Sequence, residues 1–457
     1  MTLRFGTDGV RGVANADLTP ELVLALGRAA ARVLGHDRFL VGRDTRISGP
    51  LLQGALSAGL ATEGADVADL GVLPTPGVAF LSAADQLPAA VISASHNPFG
   101  DNGVKFFSPG GRKLSDGTEA RLEAELDRLL AEPAVSAPGR PTGADLGRIL
   151  PGHTRAVERY AQSLVASIGG RGLAGLAVVL DCANGAATAT APDVLRRLGA
   201  DVTVMNDAPD GVNINDGCGS THPEGLQREV VARRAAVGLA FDGDADRVLA
   251  VDHTGALVDG DQLIAICALD RHDRALLPGN TVVVTVMANL GFRQAMAARG
   301  IGLIEADVGD RYVLEEMDRG GWGLGGEQSG HIIFGDLATT GDGVLTGLQV
   351  LDVMARRREP LSALAGVMVR LPQILRNVPV ARRGMRPSED LMLVTKAVQG
   401  ELGDRGRVLV RPSGTEAVMR VMVEAVTEGE AEAACDILCR SVQDLLGAAG
   451  APAGPEN

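Results

Sequence analysis

Ser95 stands three residues past an apolar run, in Val91-Ile92-Ser93-Ala94-Ser95-His96-Asn97-Pro98, and that placement suits a reactive hydroxyl. Ala89-Ala90-Val91-Ile92 reads as a short buried strand, and Asn97-Pro98 marks a turn. A side chain just beyond a strand end is held rigidly yet left accessible, which is where open α/β sheets place their ligands. Ser95 there could be a nucleophile or a phosphate carrier. The competing reading is a strand-to-turn connection whose serines bond their own backbone.

A second loop carries charge instead of a hydroxyl. Val237-Gly238-Leu239-Ala240-Phe241 reads as a strand, empties into Asp242-Gly243-Asp244-Ala245-Asp246-Arg247, and resumes as the strand Val248-Leu249-Ala250-Val251. Three carboxylates at alternate positions, separated by small residues, can converge on one hard cation such as Mg²⁺. Without compensation, like charges this crowded repel. An EF-hand loop needs Gly at its sixth position and Glu at its twelfth. Those places hold Arg247 and His253, so the EF-hand reading fails.

Five further loops carry weaker signals. Phe5–Gly12 is glycine-punctuated and holds Thr7 and Arg11. Arg43-Asp44-Thr45-Arg46-Ile47-Ser48 follows a strand, and its arginines suit either a solvated loop or an anion grip. Asn102-Gly103 signals a hairpin turn, and Lys105 just after it is a candidate acid/base group or phosphate contact. Gly325-Gly326-Glu327-Gln328-Ser329-Gly330-His331 offers acceptors, hydroxyls and an imidazole, a set suited to a polyhydroxylated ligand. Arg411, Ser413, Thr415 and the amides around Gly414 make a cup of donors with one fixed charge, as a phosphate monoester requires. Cys218 and His222 lack a partner at ligand spacing and are read as structural.

These loops need elements to hold them. At 457 residues the chain exceeds one core and implies three or four domains. Hydrophobic content of 46% and charged content of 22% are those of a globular protein, and 3% aromatics force aliphatic cores. A net charge of −14 with no basic run argues against nucleic acid as a partner. Five scattered cysteines with no CxxC pair suit a reducing compartment. The absence of a signal pattern or a bilayer-length apolar run gives the cytoplasm as the expected location and no membrane as partner. Thr19-Pro20 opens a helix, and strands alternate with helices through the first three quarters of the chain, predicting βαβ units. After about residue 367 the pattern turns strand-rich with two helices, and Gly447–Asn457 reads as a fraying tail.

In family order, FGTDGVRG at 5–12, ISASHNPFGDNGVKFF at 92–107, DGDADR at 242–247, GEQSGH at 326–331 and RPSGTE at 411–416 closely resemble the motifs of the α-D-phosphohexomutases. The resemblance spans essentially the whole chain. It implies an α/β protein of four domains around a central cleft: three related α/β domains with mixed or parallel sheets and a C-terminal α+β domain. The expected bounds are 1–150 with a phosphoserine loop, 151–253 with a metal loop, 254–366 with a sugar loop and 367–447 with a phosphate loop. A flexible tail at 448–457 follows.

By the same resemblance Ser95 is a phosphoserine in the active enzyme and binds Mg²⁺ with Asp242, Asp244 and Asp246. Arg247 contacts the phosphoserine, with Thr7, Arg11 and His96 nearby. Lys105 and His331 are the candidates for proton transfer. Glu327 and Ser329 hold the sugar, and Arg411, Ser413, Gly414, Thr415 and Arg420 hold the non-reacting phosphate. SASHNP, GVRG and GEQSGH are similar to the branch that acts on glucosamine phosphates. The implied reaction interconverts glucosamine 6-phosphate and glucosamine 1-phosphate through a sugar 1,6-bisphosphate, which also serves as activator, and feeds UDP-N-acetylglucosamine synthesis. A homodimer is a family expectation. The rival readings are a mutase of glucose or mannose phosphates, a metal-dependent phosphatase, and a silent sugar-phosphate-binding protein.

Overall fold

A computed structural model describes Gly6 and residues 9–131, 139–413 and 416–446. They form two compact units, Met1–Met287 with Arg299–Val367, and Ala288–Ala298 with Met368–Asn457.

The first unit contains three sheets built on one plan. In the first, the strands Arg38–Arg43, Asp66–Val72, Ala89–Ile92 and Ile149–Pro151 run parallel, and Asp101–Ser108 joins Ala89–Ile92 antiparallel. Val10–Val13 then pairs antiparallel with Asp101–Ser108 at the edge. In the second, Ala177–Asp181, Asp201–Met205 and Val237–Phe241 are parallel, and Val248–Asp252 turns back antiparallel on Val237–Phe241. In the third, Thr281–Thr285, Gly302–Ala306 and Leu324–Gly326 are parallel, and Ile332–Phe334 returns antiparallel on Leu324–Gly326. The alternation of strands and helices foretold parallel pairing; the antiparallel return strand is what each sheet adds.

That return strand places the chemistry. The loop with Ser95, the loop with three aspartates and the loop with Glu327 and His331 each join the last parallel strand of a sheet to its antiparallel neighbour. All three therefore sit at the carboxyl ends of parallel strands, where backbone groups are released from the ladder. The strands behind them are apolar throughout: Ala89–Ile92 and Val237–Phe241 are buried at every position, as strands covered on both faces must be.

The helices follow from local rules. Thr19 caps Pro20–Leu34 by accepting the Leu22 amide, with Pro at the first turn as read from the sequence. Asp259 closes a capping box with Gln262 at the start of Gly260–Asp273. Asn102-Gly103, expected as a hairpin turn, lies instead inside the strand Asp101–Ser108, opposite Gly12 and Arg11. The glycine serves close approach: a Cβ there would lie 2.6 Å from the Ser93 carbonyl oxygen.

In the second unit the antiparallel strands Gln373–Pro379, Val418–Glu424 and Arg407–Pro412 form a sheet packed with the helices Glu389–Leu402 and Glu428–Leu446. The helix Leu290–Ala298 also belongs to this unit. Asn289 donates to the Leu371 carbonyl and accepts the Leu371 amide, both at 3.0 Å, and the Leu290 amide donates to Glu424 Oε2 at 3.0 Å. No helix among the described residues is long and apolar enough to cross a membrane.

Candidate active site

Ser95 adopts φ +52°, a left-handed backbone that few side chains tolerate, so its surroundings must impose it. Arg46 does much of this. Its buried guanidinium donates to the carbonyl oxygens of Ser95 at 2.9 Å, Asn97 at 2.8 Å and Asp101 at 3.0 Å, and to that of Pro98. Asp44 neutralises it at 2.9 Å and also accepts from Ser93 Oγ at 2.7 Å, while Ser93 Oγ accepts the Ser95 amide at 2.9 Å. Asn215 adds bonds to the carbonyls of Ser95 and Asn97 at 2.9 and 3.1 Å. Arg46 is thus a scaffold for the serine loop; the anion grip considered for its stretch is not its use.

The Ser95 hydroxyl donates to Asp242 Oδ2 at 2.5 Å and lies 3.4 Å from His96 Nδ1. Asp242, Asp244 and Asp246 are buried, and one carboxylate oxygen from each falls within 4.8 Å of the others. Asp244 Oδ2 accepts from Lys105 Nζ at 2.9 Å and Thr75 Oγ1 at 2.7 Å; Asp246 Oδ2 lies 3.7 Å from Lys105 Nζ. Asp244 Oδ1 and Asp246 Oδ1 are buried with no hydrogen-bond partner among the described residues. Three converging carboxylates, two of them with a buried oxygen that lacks such a partner, fit a divalent cation such as Mg²⁺. The loop is shaped for this: Ala245 has φ +58°, and a Cβ on Gly243 would lie 2.6 Å from the Ser95 carbonyl oxygen.

Electrostatics divides the three carboxyls. Burial, then the charges of Asp246 and Asp244, push Asp242 well above the usual range, against the opposing pull of Arg247 and of the Ser95 hydroxyl bond. At Asp246 burial is outweighed by Lys105, His331 and Arg247, which hold it well below. His96 is pushed down by burial and by the nearby cations Arg247 and Arg11.

A cavity of about 190 Å³ opens beside this cluster, lined by Ser95, Asp246, Arg247, Val308, Gly309, Asp310, Glu327 and His331. His331 is buried; its Nε2 accepts the Gly341 amide at 3.0 Å, which leaves the proton on Nδ1, 3.6 Å from Asp246 Oδ2. Burial opposes charge on this ring, but Asp246, Asp310 and Glu327 outweigh it and raise its pKa. Glu327 accepts the Gly309 amide at 3.2 Å and is pushed upward by burial. The buried Ser329 Oγ has no partner among the described residues.

Ser95, His96, Lys105, Asp242, Asp244, Asp246, Arg247, Glu327, Ser329 and His331, together with Arg11, all lie in the first unit. Arg411, Ser413 and Arg420 are gathered in the second: Arg411 and Arg420 are cross-strand partners, and Arg420 Nη2 lies 3.5 Å from Ser413 Oγ. Thr7, Gly414 and Thr415 lie outside the described residues. Sequence reasoning gave Arg46 another role and missed Thr75, Asn215 and Asp310, which reach the site from other loops. Thr75-Pro76 and Gly309-Asp310 carried only the signal of polar residues opening a helix.

Models of the phosphoglucomutase/phosphomannomutase family match in chain order: α/β/α domain I at 2–132, domain II at 157–255, domain III at 259–371 and the C-terminal domain at 375–441. The chain is 55% identical to the phosphoglucosamine mutase of Symbiobacterium thermophilum, over 93% of this chain and 95% of that one. It is 52% identical to the phosphoglucosamine mutase of Thermobifida fusca, over 98% and 99%. Its fold is similar to a phosphoglucomutase/phosphomannomutase family protein from Burkholderia thailandensis, with a TM-score of 0.78 at 24% identity over 96% and 97% of the chains. It is also similar to Aspergillus fumigatus N-acetylphosphoglucosamine mutase in complex with GlcNAc-6P and magnesium, with a TM-score of 0.70 at 20% identity over 97% and 96%.

Proposed function

The chain belongs to the phosphoglucomutase/phosphomannomutase family of intramolecular phosphotransferases, and on that premise we propose that it interconverts glucosamine 6-phosphate and glucosamine 1-phosphate through a phosphoserine at Ser95 and a bound 1,6-bisphosphate. The observation that carries this reading is the 2.5 Å contact between Ser95 Oγ and Asp242, at the mouth of a sugar-scale cavity and beside three convergent carboxylates. Pure sugar binding needs neither the serine nor the carboxylates.

In the forward direction the free C1 hydroxyl of the 6-phosphate attacks the phosphorus of phosphoserine. The P–O bond to Ser95 breaks, the new P–O1 bond forms, and the hydroxyl proton passes to a base. Lys105 and His331 are the candidates to take it: Lys105 lies against Asp244 and Asp246, and His331, a wall of the cavity, can take a proton on Nε2 once that atom releases the Gly341 amide. The bisphosphate then turns over, Ser95 Oγ attacks the phosphorus of its 6-phosphate, the P–O6 bond breaks, and O6 takes back the proton held by the base, regenerating phosphoserine and releasing the 1-phosphate. Mg²⁺ held by Asp242, Asp244, Asp246 and Ser95 would neutralise charge on the moving phosphoryl group. Arg247, also on the cavity wall, offers a guanidinium to the same group. Glu327 and Ser329 are suited to sugar hydroxyls, and Arg411, Ser413, Gly414, Thr415 and Arg420 to the idle phosphate. The product would supply UDP-N-acetylglucosamine synthesis.

A coupled turnover assay tests the reading, with Mg²⁺ and a trace of sugar 1,6-bisphosphate as activator. Preference for glucosamine 6-phosphate over the glucose and mannose 6-phosphates, abolished by Ser95→Ala, is the expected result. Release of inorganic phosphate, or turnover indifferent to Ser95→Ala, would overturn it.

A further inference from the structure

An amino sugar differs from a neutral hexose at C2 by charge more than by size. An ammonium brings three donors and no acceptor, where a hydroxyl offers both. A site that prefers the amine therefore needs a carboxylate aimed at that carbon. The cavity wall holds three: Asp246, Glu327 and Asp310.

Asp246 belongs to the cation cluster, so its charge is committed there. Glu327 has the Gly309 amide on one oxygen and, in the reading above, serves hydroxyls that all hexoses share. Asp310 differs. It opens the helix Asp310–Gly320, where the helix dipole favours a negative charge, and its Oδ1 accepts the Arg311 amide at 2.8 Å. Lys113 Nζ, 2.7 Å from Oδ1 and 2.6 Å from Oδ2, holds the carboxylate from outside the set of cavity-lining residues. Oδ2 also lies 3.5 Å from His331 Nε2, so it stands next to a candidate proton acceptor.

We propose that Asp310 is the specificity-determining residue that recognises the C2 ammonium of the amino-sugar phosphate, in competition with Lys113. The proposal rests on the amino-sugar reading of this site. It makes two substitutions behave oppositely. Asp310→Asn keeps the shape and removes the charge that separates ammonium from hydroxyl. Lys113→Met removes a competing cation and leaves Asp310 a stronger attractor.

The test is the ratio of kcat/KM for glucosamine 6-phosphate to that for glucose 6-phosphate, in the full chain with Mg²⁺ and bisphosphate. Asp310→Asn is expected to lower this ratio about ten- to a hundredfold, the range of a charged hydrogen bond. Lys113→Met is expected to keep the ratio or raise it. An unchanged ratio in Asp310→Asn overturns the proposal. So does an equal loss in Lys113→Met, which would reduce Asp310 to one half of a structural tie. A wild-type protein with no preference for the amino sugar overturns the function proposed above, and this inference with it, before any variant is made.

Discussion

The guanidinium of Arg46 donates to the carbonyl of Ser95 at 2.9 Å while it is itself 1% exposed. The reactive serine is thus fastened through its backbone, leaving its hydroxyl to Asp242. Three more carbonyls of the same loop depend on that side chain, and its charge is balanced by Asp44. Arg46→Met would leave Asp44 buried and unpaired and the carbonyls without donors. The expected cost is about 3–5 kcal/mol, with turnover lost. Arg46→Lys keeps a charge but cannot span the loop, and should recover only part of the stability in urea denaturation. Equal stability of wild type and Arg46→Met would contradict this account.

Thr75 donates to Asp244 Oδ2 at 2.7 Å, and its amide donates to the Asp244 carbonyl at 3.0 Å. The side-chain bond orients a carboxylate whose other oxygen is free for a cation. Thr75→Val, nearly isosteric, should weaken Mg²⁺ binding about tenfold in calorimetric titration, whereas Thr75→Ser should bind as wild type does. A Val variant with unaltered Mg²⁺ affinity would remove Thr75 from this role.

Asp342 caps the helix Gly343–Arg357 and accepts from Tyr160 at 2.8 Å, yet burial pushes its carboxyl up to about 6. In the unfolded chain it titrates near its ordinary value of 3.8. Between these values the folded protein holds a proton that the unfolded chain has released, so its stability contribution falls as pH rises. About 3 kcal/mol should be lost by pH 7 relative to pH 3.5. Asp342→Asn cannot ionise, so its stability relative to wild type should improve by about that amount across the interval. A difference that stays constant with pH counts against the raised carboxyl.

A Cβ on Gly341 would lie 2.4 Å from His331 Nε2 and 2.5 Å from two ring carbons. Gly341→Ala should therefore displace the imidazole and lower kcat about a hundredfold, with far-UV circular dichroism unchanged. Wild-type kcat in that variant would show that the position of His331 does not matter.

Contiguity decided what the sequence could reveal. Val237–Phe241 followed by DGDADR and then Val248–Asp252 is strand, loop and strand within one stretch, and the three carboxylates converge as their spacing suggested. Thr75, Asn215 and Asp310 were not legible, and the scaffold role of Arg46 was not either, because each acts on residues distant in the chain; Thr75 and Asp244 are separated by 169 positions. Asn102-Gly103 misled for a related reason. The dipeptide favours a turn locally, but tertiary crowding by Ser93 and Val10 gives its glycine another purpose.

The helix Leu290–Ala298 lies in sequence between two strands of the third sheet but is built into the C-terminal unit. A Cβ on Gly291 would sit 1.8 Å from the Val369 carbonyl oxygen, and Phe292 and Met296 are fully buried. The C-terminal unit is therefore not inherited as a detachable module. A gene fragment beginning at residue 368 would leave the Leu371 backbone and the buried Glu424 without Asn289 and the Leu290 amide, and a fragment ending at 367 would carry those two residues stripped of their partners. Recombination between relatives at this apparent seam must exchange 288–298 along with the C-terminal segment, or both offspring inherit buried polar groups without their partners.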